Sequence, residues 1–425
     1  MSVSRTSRGA TRCPVRDDYN PFSPEATADP ISTLASVANQ DPVFFNTHSG
    51  RWSVAGYHEV REVLRDTKRF SNAAVILEAL PTAHSAELAP RGAPDDHPAL
   101  INTDPPTHHR IRKLANQAFT PRAVASWEPI IEQRVASLLD GFVHRGSGDF
   151  VASFSAPLPI TVISDILGIP LDEWDRVFKW SWALLAARLP SLDESARDEA
   201  WRWIGDWTEY LEQMIVDRRR EPRDDLLSRL MEASDAEDPQ LSDDELRSVV
   251  SQLVIAGNET TRHLLSTLAL RLTEHPQLAR QLVDDKELVA KVVEEELRYA
   301  GPSRGLFRVA TEDVRLGGAT IQAGDVLQLC FAAANHDHRF FDEPFEFKLD
   351  RPDIGQHLGF GRGEHFCIGA PLARLEVKIA LREIAARLPN LRRTDVSTLS
   401  WQPNVIITGL ERLDLAWDVP GGSVR

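Results

Sequence analysis

Cysteine is scarce in this 425-residue chain: three in all, Cys13, Cys330 and Cys367, far apart and odd in number. That excludes a disulfide framework and, with no Cys-x-x-Cys pair, a structural zinc site as well. The scarcity fits a reducing compartment, and a cytoplasmic location is expected. No run of apolar residues is long enough for a membrane-spanning helix. The first forty residues lack the apolar stretch that a signal peptide or anchor needs. Positive charge is in deficit: 48 Lys and Arg against 63 Asp and Glu leave a formal charge of −15. That is the wrong sign for a nucleic-acid binder, whose phosphate contacts need a basic surface. Internal repeats and low-complexity linkers are also missing, so solenoids and arrays drop out.

What is present is globular in composition, with 42% hydrophobic and 26% charged residues. The length suits one large domain or two to three ordinary ones. Residues 1–28 read as an irregular arm. Two β-rich runs, Val43–Phe45 and Trp52–Ala55, flank a Ser49–Gly50 turn. Helical periodicity begins at Tyr57. Asn72–Thr103, rich in Pro, Ala and Asp, reads as a long surface loop of the kind that often carries function.

From Pro106 to about Pro302 the pattern is almost all helical. Ser242-Asp-Asp-Glu245 is a capping box, opening a helix that continues past Thr267. At about thirty residues it is long for a globular protein and should cross the core. Short strands with Gly-Gly and Ala-Gly turns are expected over Phe307–Leu329. A last helix should run from Gly369 to about Leu388, where Pro389 stops it. The fold class is therefore mainly α with a small β-rich part.

The strongest chemical signal is Phe360-Gly-Arg-Gly-Glu-His-Phe-Cys367-Ile-Gly369, followed by the helix APLARLEVKIAL. A lone cysteine is most often buried and inert. Here, however, Gly361 and Gly363 permit a tight turn, and Gly369 lets the next helix approach a flat group closely. The N-terminus of that helix favours an anionic sulfur. Those are the needs of an axial thiolate on haem. The segment resembles the haem-binding loop of the cytochrome P450 family, with His365 where an Arg or His meets a haem propionate.

The resemblance extends from about Pro42 to Trp417 and implies a single haem domain over residues 29–425. Ala256-Gly-Asn-Glu259-Thr260-Thr resembles the family's oxygen-activation motif. Gly257 costs a helix about 1 kcal/mol against Ala, so close approach to a flat group or a local opening is expected there. On its own, Glu-Thr on a helix is usually a solvated face. Glu295-Glu-Leu-Arg298 with Arg351 resembles the structural triad that braces the cysteine loop. Asp104-Pro-Pro-Thr-His108-His-Arg-Ile-Arg112 resembles the propionate-binding helix start. His108 and Arg112, four apart, share one face. Arg308 occupies another propionate-binding position, although each Arg taken alone would more often be a surface residue.

The resemblance implies haem b held by Phe360, Gly361, His365, Cys367, Gly369, His108, Arg112, Ala256 and Arg308, with Cys367 on the iron. It implies a monooxygenase that puts one oxygen atom of O2 into a small or medium hydrophobic substrate. Thr260 would hydrogen-bond the oxygen being reduced, and Glu259 would relay protons. Electrons would come from NAD(P)H through separate partners, a ferredoxin and its reductase. Three stretches, DPVFFNTHSGRWSVAGYHEVREVLRD, FSNAAVILEAL and NHDHRFFDEPFEF, are similar to the reductase-fused bacterial subgroup, whereas CIGAPLARLE follows the commoner soluble pattern.

Family pocket positions fall on Val75, Ile76, Leu306, Phe307, Val405 and Ile406, for which ordinary core packing is the competing role. Arg304 is expected either to be a solvated loop residue or to meet a substrate carboxylate. Rival classes are a peroxide-driven peroxygenase or decarboxylase and a non-enzymatic haem sensor or carrier. Arg110, Arg112, Lys113, Arg362, Arg374 and Lys378 are expected to gather on the thiolate side and recruit an acidic donor.

Overall fold

The computed structural model describes residues 14–419, apart from 22, 24, 27–28, 74–99, 188–191, 235–239, 396–398 and 403–405. Most of the expected surface loop, with Val75 and Ile76, therefore lies outside the described residues, as does Val405. Early in the chain come α1 (Pro30–Ala38) and α2 (Tyr57–Arg65). The main helical layer follows with α3 (Thr107–Ala118), α4 (Pro121–Ser126), α5 (Glu128–Phe142), α6 (Pro157–Leu167), α7 (Trp174–Ala186) and α8 (Glu194–Arg220). It continues with α9 (Leu226–Glu232), α10 (Asp243–Glu274), α11 (Pro276–Asp284) and α12 (Lys286–Tyr299). Two helices, α13 (Phe331–Ala334) and α14 (Ala370–Arg387), lie beyond the strand region.

Helix α10 has 32 residues, about 48 Å at 1.5 Å per residue. Its capping box forms as the sequence suggests: Ser242 accepts from the Glu245 N–H, and Glu245 accepts from the Ser242 N–H. Around it packs a core with Trp180 and Trp207, both fully buried, their ring centroids 5.0 Å apart. Each such aromatic covers about 150–250 Å², worth about 4–6 kcal/mol at 25 cal/mol per Å². The Trp207 indole donates to Ser251 on α10 at 2.7 Å, so burial leaves no orphaned N–H there.

The β part is a six-stranded sheet, a three-stranded sheet and a hairpin. The six strands are β1 (Val15–Arg16), β2 (Val43–Asn46), β3 (Arg51–Val54), β4 (Phe70–Ser71), β6 (Leu306–Ala310) and β9 (Val326–Leu329), ordered β1-β2-β3-β9-β6-β4. Strand β5 (Ser147–Asp149) joins the two C-terminal strands β10 (Arg392–Arg393) and β11 (Asp414–Ala416). The hairpin pairs β7 (Val314–Leu316) with β8 (Ala319–Ile321). Trp52, Val54, Leu327 and Leu329 of the large sheet pack against Tyr57, Val60, Val63 and Leu64 of α2.

Strand β1 corrects the expectation of an irregular arm over residues 1–28, because Val15 and Arg16 pair in parallel with Phe45 and Asn46. Two residues carry no hydrophobic alternation to read. The pairing is held by backbone bonds and by Arg16, which meets Asp18 at 2.6 Å and Asp41 at 3.0 Å.

Candidate functional site

The cysteine loop is a tight turn built on two glycines. Gly361 and Gly363 have φ of +66° and +75°, where side chains are strained. A Cβ on Gly363 would also overlap the Leu64 carbonyl of α2. The Cys367 N–H closes the loop on the Phe360 carbonyl at 3.0 Å. Burial prevails and leaves the Cys367 thiol raised, although the N–H groups of Gly369 and Ala370 and the charges of Arg112 and Arg374 pull it down. Those opposing groups all favour a thiolate, and a coordinated metal ion removes a thiol proton outright. Gly369 has an ordinary φ, and a Cβ there would reach no closer than 3.9 Å to the Cys367 sulfur.

Two ionic braces hold this loop. Glu295 accepts from Arg298 at 2.9 and 2.8 Å, from Arg351 at 2.9 Å and from the Lys348 N–H at 2.9 Å. Glu295 and Arg298 are fully buried and Arg351 nearly so. The spare Arg298 protons go to the carbonyls of Asn335 and Pro344, and the Asn335 side chain accepts from Leu358 N–H, entering the cysteine loop.

The second brace was not visible in the sequence. Glu294 takes both forks of Arg374 at 2.6 and 2.8 Å and lies 3.1 Å from the His357 ring. Burial pushes Glu294 up, yet Arg374 and His357 hold it down at about 2. The Arg374 guanidinium also covers the Phe360 ring at 4.6 Å. The sequence signal was the run of three acids Glu294–Glu295–Glu296, which does not say where each side chain points.

Above the loop four nitrogen-bearing side chains converge. The rings of His108 and His365 stack with centroids 3.9 Å apart. Both His108 nitrogens and Nε2 of His365 are buried without a hydrogen-bond partner. Burial drives His365 down to about 3, aided by the nearby charges of His108, Arg308 and Arg112. Burial likewise lowers Arg308 to about 10 and depresses His108 and Arg112. Donors that crowd and repel one another in this way form a site awaiting anionic oxygens.

Helix α10 presents some of its middle residues outward. Ala256 is exposed and Gly257, Glu259 and Thr260 partly so, although Val254, Asn258 and Thr261 beside them are buried. The helix runs unbroken through Gly257, and a Cβ there would meet nothing within 4 Å. The Thr260 hydroxyl donates to the Ala256 carbonyl at 2.5 Å. Burial pushes Glu259 up, but His263 and Arg262, 3.4 and 3.5 Å away, lower it overall.

The expected substrate-side residues divide. Strand alternation puts Leu306 on the same face of β6 as Arg308. Phe307 turns to the opposite face, where the Arg51 guanidinium covers its ring at 5.1 Å. Ile406 is brought beside this strand's entry, its carbonyl accepting from the Arg304 N–H at 2.7 Å. Arg304 itself corrects the expectation. It is not a solvated loop residue but is buried, with its guanidinium against the Tyr19 phenol and Cys330. The N-terminal arm that supplies Tyr19 had no assigned partner in the sequence, so the burial could not be foreseen.

Arg110 pairs with Glu245 and Arg374 with Glu294, while Arg112 turns toward the sulfur. Arg362 remains on the outer side of the loop, donating to the Gly355 carbonyl at 2.7 Å.

Comparison with known proteins agrees with this geometry. The sequence profile of the family described as Cytochrome P450 matches residues 52–388. Cytochrome P450 107B1 of Saccharopolyspora erythraea is 38% identical over 403 residues, covering 94% of each chain. Cytochrome P450 monooxygenase PikC of Streptomyces venezuelae is 34% identical over 426 residues, covering 98% of this chain and 97% of that one. Among solved structures, cytochrome P450 CYP109Q5 from Chondromyces apiculatus superimposes with a TM-score of 0.83 at 34% identity, over 94% of this chain and 97% of its own. CYP109E1 from Bacillus megaterium, in complex with corticosterone, gives 0.82 at 34% identity, over 93% and 100%.

The chain belongs to the cytochrome P450 family. It is a haem-thiolate monooxygenase whose cofactor is haem b. The residues present fit that group: a partly exposed cysteine in a tight glycine turn, and at the edge buried His108 and His365 nitrogens without partners beside Arg112 and Arg308. No helix among the described residues is long and apolar enough to cross a membrane.

Proposed function

We propose that Cys367 ligates the haem iron, that His108, Arg112, Arg308 and His365 take the two propionates, and that Phe360, Gly361, Gly369 and Ala256 line the faces of the ring. The observation that carries this is the convergence of unpartnered buried donors around His108 and His365, directly over the cysteine loop. Two carboxylates placed there would offset both the burial and the neighbouring charges that depress His365.

The reaction proposed is insertion of one oxygen atom of O2 into a hydrophobic compound, with electrons from NAD(P)H delivered by a separate ferredoxin and its reductase in the cytoplasm. Bound haem supplies the O2 chemistry, and electron density from the cysteinate favours cleavage of the O–O bond. The chain's part is positioning and proton supply. With its proton committed to Ala256, the Thr260 oxygen can accept a hydrogen bond from the reacting side. Glu259, ionised and half-shielded on the same helix, is the group that can bring protons in.

A substrate of steroid or polyketide dimensions is favoured, since relatives are named Steroid C26-monooxygenase and Polyketide biosynthesis cytochrome P450 PksS. A carboxylate-anchored peroxygenase is disfavoured, because Arg304 is spent on Tyr19 and Cys330. Turnover with NAD(P)H and the two redox proteins, set against hydrogen peroxide alone, tests the proposal. Product formed only with peroxide would reverse it. A steroid and macrolide screen read by the Soret shift then identifies the substrate class.

A further inference from the structure

Behind Glu259 lies a polar cluster that the sequence motif does not include. His263, one turn further along α10, is fully buried, with neither ring nitrogen hydrogen-bonded. Its Nε2 is 3.4 Å from the Glu259 carboxylate. The other side of the ring is pressed against the C-terminal segment, so closely that a Cβ on Gly409 would overlap it. The buried hydroxyl of Thr408, the preceding residue, is unpartnered as well. So is Nε of Arg262, whose guanidinium lies 3.5 Å from Glu259.

Buried polar atoms are rarely left unpaired, and a group of them in one place is the usual mark of internal water. The His263 ring has only a carboxylate at the limit of hydrogen-bond reach and a glycine backbone against its face.

We infer that His263 is a positioning residue for Glu259: together with water held near Thr408 and Gly409, it sets where the Glu259 carboxylate points and how fast it regains its proton. Arg262 supplies a fixed charge at 3.5 Å, so the carboxylate stays ionised between transfers. The imidazole, which can donate or accept, links it to water on the side away from Thr260. The inference rests on the proposed proton role of Glu259 and adds the residue that governs it.

The test uses the holoenzyme with its redox partners. His263→Leu should lower product formed per NAD(P)H by about tenfold, a fraction of a full general-acid contribution, with peroxide release rising in compensation. Substrate affinity and the reduced-CO band should not move. His263→Gln, which keeps a hydrogen-bonding side chain, should recover part of the loss. The Glu259→Gln/His263→Leu double variant should be no worse than Glu259→Gln, since both act through one group.

A high-resolution holoenzyme structure gives an independent reading, with ordered water within hydrogen-bond distance of the His263 ring or the Thr408 hydroxyl. A dry, partnerless ring would overturn the inference. So would His263→Leu with an unchanged product-to-peroxide ratio while Glu259→Gln shifts it. If Glu259→Gln itself leaves the ratio unchanged, the proton role of Glu259 fails and this inference falls with it.

Discussion

Thr260 gives its hydroxyl proton to the carbonyl of Ala256, one helical turn back, at 2.5 Å. The bond leaves the hydroxyl oxygen able to accept from the side of α10 where Ala256 is exposed and Gly257 partly so. Thr260→Ala removes that acceptor without touching the core. The variant should bind substrate and take up electrons normally but release more peroxide, with product per NAD(P)H falling about tenfold. Coupled measurement of NAD(P)H, peroxide and product checks it, and unchanged coupling would remove Thr260 from the reaction.

The Glu295 brace concerns stability. Its carboxylate is fully buried and receives two guanidinium groups and a backbone N–H. Removing one partner of such a buried pair leaves uncompensated charge and costs about 3–5 kcal/mol. Glu295→Leu should therefore lose that much in denaturant titration and hold haem poorly. A variant as stable as the parent would show that the triad does not brace the loop.

Glu376, on α14 behind the cysteine, offers a pH test. It is fully buried, one carboxyl oxygen is unpartnered, and burial pushes it up to about 8. An acid raised in the folded state is held protonated there while the unfolded chain ionises near 4.5. Its contribution is full below about 4.5 and drains away as pH rises toward 8. Glu376→Gln, neutral at every pH, should gain on the parent by about 3–4 kcal/mol between pH 5 and pH 8. Paired denaturation curves at the two pH values check this, and a constant difference would mean that Glu376 is not buried as an acid.

The parts of this structure that the sequence makes legible are those governed by local rules. The Ser242–Glu245 capping box, the two glycines of the cysteine turn and the spacing of Glu295 and Arg298 each act within a few residues. What escaped depends on distant partners. Val15–Arg16 becomes a strand only because Phe45 and Asn46 lie beside it. Arg304 is buried because Tyr19, far off in the chain, caps it. Arg374 reads as a surface cation until Glu294 and His357 are placed around it. Phe307 and Arg308 are neighbours, and only strand pairing reveals that they face opposite ways.

Electron delivery should be sensitive to Arg362. Arg110 and Arg374 are already paired to acids, whereas Arg362 lies on the outer side of the cysteine loop. Raising salt from 0.1 M to 1 M shortens the Debye length from about 10 Å to about 3 Å. The rate of reduction by ferredoxin should fall across that range, and Arg362→Glu should lower it about tenfold at low salt without altering substrate affinity. Stopped-flow reduction followed by CO trapping measures it. Indifference to both changes would place the donor elsewhere.

The central claim is that the Cys367 sulfur is the axial ligand, with the Gly369 and Ala370 N–H groups and Arg112 and Arg374 favouring its anion. The most direct measurement is the absorption spectrum of the reduced, CO-bound Cys367→Ser variant reconstituted with haem. The parent should show the red-shifted Soret band of thiolate-ligated haem, and the variant should lose it entirely. A Ser variant that keeps that band would contradict the assignment.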